Sequence, residues 1–346
     1  MSVSSRFVRA CNKQSTDTVP VWFMRQAGRY MPEYRSVRAR HSILEICRTP
    51  SLAAEVTITA AEELGVDAAI IFADLLLPAE PLGLKLTFTA GEGPSIEPAL
   101  RERRQIEQLP DSLRGELGYI AESVRLVDRH FGGKLPVIGF SGAPFTLASY
   151  LVEGGSSRNY VHTKKLMYGD PQAWTLLMDK LCRALMEYLT QQVEAGAAAI
   201  QLFDSWVGAL SEADYRRFVL PFNRRLVEGV QALGVPAIYF STGTSGYVET
   251  VAETGAQVIS IDWRVDLAEA WRRMGHRPAL QGNLDPVALF APQNELRAMV
   301  QGLLEKAGGR PGYIFNLGHG ILPETPVANV KAVTEWVHEY AHAGSI

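Results

Sequence analysis

Short runs of β-branched and apolar residues recur along this chain, each separated from the next by at least one stretch with helical spacing. The runs are Pro20–Met24, Asp67–Phe72, Pro136–Phe140, Ala199–Phe203, Ala237–Phe240, Val258–Asp262, Ala279–Gly282 and Tyr313–Leu317. They lack the polar alternation of a half-solvated strand and suit strands buried on both faces, as in a parallel sheet. The intervening spacing predicts helices over Ser51–Leu64, Leu113–Phe131, Pro171–Ala195, Ser211–Leu233, Tyr247–Glu253, Leu267–Met274 and Asn294–Ala307, with Pro326–His342 last. Asp170 before Pro171 and Gly196 after Ala195 mark helix ends.

Eight strands alternating with helices predict an α/β protein closed into a single (β/α)8 TIM barrel. A doubly wound sheet more often has fewer strands and a GxGxxG turn after the first, which is missing here. Leu75–Leu100 contains Pro, Gly and an alternating stretch from Leu84 to Thr89, and is expected to form a small hairpin insertion after the second strand. With no internal repeat, low-complexity tract or linker, residues 1–346 are taken as one domain.

Composition narrows the function classes. Hydrophobic residues at 47% and charged residues at 21% describe a globular chain and argue against long disorder. A net charge of −3 suggests neither a nucleic-acid nor an anionic-membrane partner, so any anion site must come from local clustering of Arg and Lys. Cys11, Cys47 and Cys182 lie far apart without a CxxC, which fits a reducing compartment and gives no zinc or disulfide signature. Ser4–Thr18 is polar, and no apolar run reaches membrane-spanning length, so a cytoplasmic protein is expected.

In such a barrel, chemistry sits at the C-terminal ends of the strands. The residues there are Arg25, Asp74, Ser141, Asp204 with Ser205, Ser241, Trp263, Asn283 and His319. The first strand is the informative one. Arg25-Gln26-Ala27-Gly28-Arg29-Tyr30 continues through Arg35, Arg38 and Arg40, with Glu33 the only acid. Guanidinium pairs bidentately with carboxylate or phosphate, so this cluster suits an anionic ligand of either kind. Arg35 and Arg40 are assigned to a solvated helix face. Asp74 lies in an apolar neighbourhood, where a carboxylate needs a cap, a partner or a ligand offering hydrogen bonds. Tyr150 falls on a short helix that breaks at Gly154-Gly155, and by pattern alone is a half-buried core tyrosine. His319 sits between two glycines that would let backbone and ring approach a ligand closely.

Three motif matches are set aside. His338-Glu339-Tyr340-Ala341-His342 has the HExxH form but ends the last helix, at the bottom of a barrel. Gly139-Phe140-Ser141-Gly142-Ala143 misses the last glycine of a nucleophile elbow. Thr242–Gly246 could form an anion nest, but a plain loop is the simpler reading.

Five stretches together resemble the uroporphyrinogen decarboxylase family: Pro20–Tyr34, Gly139–Leu147, Tyr150–Gly155, Gly282–Pro286 and Phe315–Gly320. The resemblance extends from about residue 6 to 340. It implies a cofactor-free (β/α)8 barrel without a metal, commonly a homodimer. Its substrate is uroporphyrinogen, a reduced tetrapyrrole carrying four acetates and four propionates. It further implies that Arg25, Arg29 and Arg38 meet substrate carboxylates, and that Asp74 accepts hydrogen bonds from pyrrole N–H groups. Tyr150, Ser205 and His319 would line the cleft, with Asp74, Arg25, Tyr150 and His319 as the catalytic candidates. The chain departs from the pattern at Tyr239–Ser245, where a lysine is common and none occurs. Two rivals are weighed: a zinc-dependent corrinoid or thiol methyltransferase on the same barrel, and a non-catalytic tetrapyrrole-binding protein. The first needs a His-x-Cys and a later Cys at strand ends, which this chain lacks.

Overall fold

The computed structural model describes residues 5–89 and 93–340. Its strands are β1 (Ala69–Ile70), β2 (Lys85–Thr89), β3 (Gly93–Glu97), β4 (Val137–Gly142), β5 (Ala197–Asp204), β6 (Ala237–Ser241), β7 (Val258–Ser260), β8 (Ala279–Leu284) and β9 (Tyr313–Leu317). Seven of them form one parallel sheet in the order β1-β4-β5-β6-β7-β8-β9. Nearly every residue of these strands is buried, because helices cover the outside and side chains fill the inside.

The ring is closed by the segment expected as the first strand, but Pro20–Met24 is not a regular ladder. Val21 forms a single parallel bridge to Phe315, with Phe315 N–H donating to Pro20 O at 2.9 Å. On the other side Asp67 N–H donates to Val21 O at 2.8 Å. Side chains take most of the remaining donors. Val21 N–H goes to Asp67 Oδ2 (2.8 Å), Phe23 N–H to Gln26 Oε1 (3.2 Å) and Met24 N–H to Asn316 Oδ1 (3.1 Å). Buried backbone donors need partners, and here side chains serve in place of a neighbouring strand. The result is the expected (β/α)8 barrel, with one strand reduced to a bridge.

The insertion after β1 is the antiparallel hairpin β2–β3, as the alternation from Leu84 predicts; residues 90–92 of that insertion lie outside the described residues. Strand bounds shrink elsewhere, β1 to two residues and β7 to three. The helix expected over Ser211–Leu233 is two helices, Glu212–Phe218 and Leu220–Ala232, because Val219 leaves helical geometry and Pro221 opens a new first turn. The helix expected from Leu113 begins at Gly118. The last helix is Val327–Glu339, and Ala341 and His342 of the expected span are outside the described residues. Pro171–Glu194 is capped as expected, Asp170 Oδ1 accepting from Ala173 N–H at 3.0 Å. Short helices at Arg6–Cys11, Pro32–Arg38, Ile43–Arg48, Arg103–Glu107 and Val161–Gly169 were not expected, being too brief for a period to show. No helix among the described residues is long and apolar enough to cross a membrane.

A polar layer crosses the barrel interior. Trp22 Nε1 donates to Gln281 Oε1 (2.9 Å), and Gln281 Nε2 donates to Gln201 Oε1 (3.1 Å) and Ser260 Oγ (2.9 Å). At the bottom, Asp67 binds Arg6 Nη1 at 3.0 Å and His338 Nε2 at 2.8 Å. That clasp joins the N-terminal helix, the closing segment and the last helix, and it engages the first histidine of the HExxH match. Asp67→Ala would strand a buried N–H and remove both partners. We expect a loss of about 2–3 kcal/mol in urea unfolding, with activity per folded molecule retained.

Candidate active site

The C-terminal strand ends bring the sequence candidates to one end of the barrel. Arg25 follows the closing segment, Asp74 follows β1, and Tyr150 lies on the helix Pro144–Glu153 after β4. Ser205 follows β5 and His319 follows β9. A separate groove of about 460 Å³, lined by Lys13, Gln257 and Arg277, opens at the opposite end, away from these groups.

Arg25 has φ = 62°, a left-handed conformation that costs a non-glycine residue about 1–2 kcal/mol. Its neighbours hold it there. Met24 donates to Asn316 Oδ1 and accepts from Ile321 N–H at 3.0 Å, so its backbone groups are clamped by β9 and by the loop after it that carries His319. Gln26 is buried; its Nε2 donates to Ala68 O (3.2 Å), and its carbonyl accepts from Tyr30 Oη (2.7 Å). The Arg25 side chain then crosses Gly320 so closely that a Cβ there would overlap its Cδ and lie 2.8 Å from its Cγ. Within Arg25–Tyr30, Gln26 and Tyr30 are scaffold, whereas Arg25 and Arg29 are exposed.

Arg29 and Arg38 both act electrostatically on the Tyr34 hydroxyl. Arg38 is half-buried and also donates to His41 O. Arg35 donates to Arg29 O (3.1 Å) and Tyr30 O (2.9 Å), and Arg40 to Ser36 O, so these two serve their own helix and turn. The Tyr34 ring packs 5.3 Å from Phe72, which ties this group to the end of β1 and so to Asp74.

Asp74 is crowded by protein yet keeps part of its surface open. Its Oδ1 accepts from Leu76 N–H at 2.9 Å. Burial raises its carboxyl above the usual range, while the Leu76 N–H and the Arg25 charge pull the other way. Burial likewise raises the Tyr150 hydroxyl; Asp74 reinforces this, and Trp206 and Arg25 oppose it. The Tyr150 ring meets Trp206 at 5.8 Å.

His319 Nδ1 accepts from Gly320 N–H at 2.8 Å, which puts the proton of the neutral ring on Nε2. Burial pulls its pKa down to about 4, and Arg25 and Arg264 add to the effect. Its ring stands edge-on to Phe240 and Trp263. Ser205 is half-buried, and its carbonyl accepts from Thr242 Oγ1 at 2.7 Å. That contact ties the lysine-free loop to the cleft. Ser141 is buried with an unpartnered hydroxyl, so no nucleophile elbow forms.

Several residues that shape this site were given no role in the sequence. Asp204, read only as a strand-end residue, is fully buried and accepts from Thr146 Oγ1 (2.7 Å), Tyr239 Oη (2.6 Å) and Asn223 Nδ2 (3.1 Å). Thr146 Oγ1 also receives Trp206 N–H, so the network sets the helix and indole that hold Tyr150. Asn316 and Arg264 are the others. Asp262-Trp263-Arg264 at the end of β7 was the available signal for Arg264.

A family model for uroporphyrinogen decarboxylase (URO-D) matches residues 3–340. The chain belongs to this family. Among its relatives, the uroporphyrinogen decarboxylase of Koribacter versatilis is 58% identical over 339 residues, covering 98% of this chain and 97% of the relative. That of Solibacter usitatus is 56% identical, covering 98% of each. Among solved structures, a methyltransferase from Methanosarcina mazei superposes with a TM-score of 0.79 at 21% identity, covering 98% of this chain and 99% of the other. At that identity the likeness speaks to the fold alone.

Two outcomes follow for this URO-D family site. Gly320→Ala should displace Arg25 and lower kcat/KM by about a hundredfold, with circular dichroism and the unfolding midpoint near wild type. His319 should also make stability pH-dependent. The unfolded imidazole takes a proton as pH falls through about 6.5, whereas the folded one resists until about 4. Unfolding free energy should therefore fall as pH drops across that window, and His319→Asn should flatten the slope measured by urea titration.

Proposed function

We propose that this chain decarboxylates the four acetate side chains of uroporphyrinogen III to methyl groups, giving coproporphyrinogen III and four molecules of CO₂ in tetrapyrrole biosynthesis. The observation that carries the reading is Asp74, a crowded carboxylate at the strand ends beside arginines that protrude from the first turn. Phosphate would be repelled by that carboxylate. A ring with N–H groups at its centre and carboxylates at its rim matches both.

Arg25, Arg29 and Arg38 pair with rim carboxylates, each desolvated charge-assisted hydrogen bond contributing about 1.5–3 kcal/mol. Asp74 accepts from the pyrrole N–H groups, which offset the cost of its burial. Tyr150, Ser205 and His319 line the cleft. The pyrrole itself is the electron sink. A proton added to a ring carbon produces a cation, and fixed negative charge at Asp74 stabilises it as it develops. The acetate C–C bond then breaks, its electron pair neutralises the ring, and CO₂ leaves. Proton addition at the exocyclic carbon and proton loss from the ring carbon restore the pyrrole, so each acetate consumes one proton net. Arg25, Tyr150 and neutral His319 are the candidate proton carriers.

A zinc methyltransferase on this fold is disfavoured by the donor set. β6 ends in Tyr239-Phe240-Ser241, and Cys11, Cys47 and Cys182 are all buried. Mere anion binding would need only the arginines, so the presence of Asp74, Tyr150 and His319 together argues against a purely binding protein. The proposal includes one catalytic domain over residues 1–346, a cytoplasmic location and a homodimer, for which exposed Val287, Phe290 and Leu322 after β8 and β9 offer apolar surface.

Anaerobic incubation with freshly reduced uroporphyrinogen should give seven- to four-carboxylate products in sequence; binding without decarboxylation would sink the enzyme reading. Asp74→Asn should fold normally and lose at least about a hundredfold in kcat. Turnover near wild type in that variant would remove Asp74 from the mechanism.

A further inference from the structure

Arg264 lies beyond β7, and its surroundings are unusually well defined for a surface arginine. Its guanidinium carbon lies 4.1 Å from the centroid of the Trp263 ring. Nη1 donates to Asp262 Oδ2 at 2.7 Å, and the Arg264 backbone N–H donates to Asp262 Oδ1 at 3.0 Å. Asp262 is buried and also accepts from Gly243 N–H at 2.7 Å, so one carboxylate fixes Arg264 and the Thr242–Gly246 loop together. The Trp263 ring in turn stands edge-on to His319, centroids 6.5 Å apart and planes at 81°. Gly318 presses so tightly on this turn that a Cβ there would overlap Trp263 N. Guanidinium, indole and imidazole thus form a row from the rim into the cleft.

Its outer end, Arg264, follows a different strand from the other arginines. Around the ring, β8 and β9 separate the end of β7 from the segment that carries Arg25. The side chain of Arg264 is 50% exposed, and Asp262 engages one nitrogen of its five-donor fork. A guanidinium held on one edge by a buried carboxylate and stacked on an indole has already lost most of its rotamer freedom. Its open edge can take a second carboxylate at little further entropic cost.

We infer that Arg264 binds a rim carboxylate of the substrate at the end of β7, on the far side of His319 from Arg25, and so helps set which acetate faces Asp74. The inference rests on the polycarboxylate reading above. Eight carboxylates spread around a ring need cations on more than one wall, and the Thr242–Ser245 loop beside Arg264 supplies none.

The test is steady-state decarboxylation of uroporphyrinogen by wild type, Arg264→Gln and Arg264→Lys, with thermal midpoints recorded for each. Arg264→Gln should raise KM about tenfold with kcat within about threefold, and Arg264→Lys should recover much of the loss. The rise of KM with salt should be shallower in Arg264→Gln, since one ion pair is gone. An unchanged KM in folded Arg264→Gln, with normal wild-type turnover, overturns this inference and leaves the decarboxylase reading standing. A fall in kcat at unchanged KM also overturns it, placing the effect on His319 instead. Absence of wild-type turnover overturns both readings together.

Discussion

The segment from Val21 to Arg25 depends on side chains doing what a strand partner ordinarily does. Asp67, Gln26 and Asn316 accept the backbone N–H groups of Val21, Phe23 and Met24. A buried donor left unpaired costs on the order of 1–3 kcal/mol, so these three residues together decide whether the barrel can close there. The same clamp fixes the direction of Arg25. Met24 is held by Asn316 of β9 and by Ile321 of the loop that follows, so closure of the barrel and the aim of its most constrained arginine are one structural event.

Charge in the cleft is arranged by neighbours, not by net balance. Asp74 stands in a setting that raises its carboxyl, and the nearby guanidinium of Arg25 opposes the rise. His319 is kept neutral by burial and by two arginines, which leaves its Nε2–H available as a donor. The deeper layers hold these groups still. Among the described residues Asp204 has no cation as a hydrogen-bond partner, yet three side-chain donors engage it, and through Thr146 it fixes the turn that packs Tyr150 against Trp206. Buried hydrogen bonds of this kind hold their neighbours in place, which gives the site a rigid floor beneath a solvent-facing rim.

The amino-acid sequence by itself determined the α/β alternation, the eight strand positions and the hairpin, because burial on two faces and period-2 alternation leave local marks. It also marked the arginine segment, Asp74 and His319, since titratable residues just after apolar runs are visible in one dimension. Membership of the uroporphyrinogen decarboxylase family was legible for a similar reason, Pro20–Tyr34 being long and unusual. Tertiary structure alone decided the rest. That Pro20–Met24 is a bridge follows from donors taken by Asp67, 46 residues from Val21, and by Asn316, 292 residues from Met24. That Gly320 is small because Arg25 lies across it, and that Arg264 shares a wall with His319, depend on loops adjacent only once the ring is closed. Periodicity reports what each segment buries, whereas these contacts join segments from 46 to nearly 300 residues apart, and only the closed barrel brings them together.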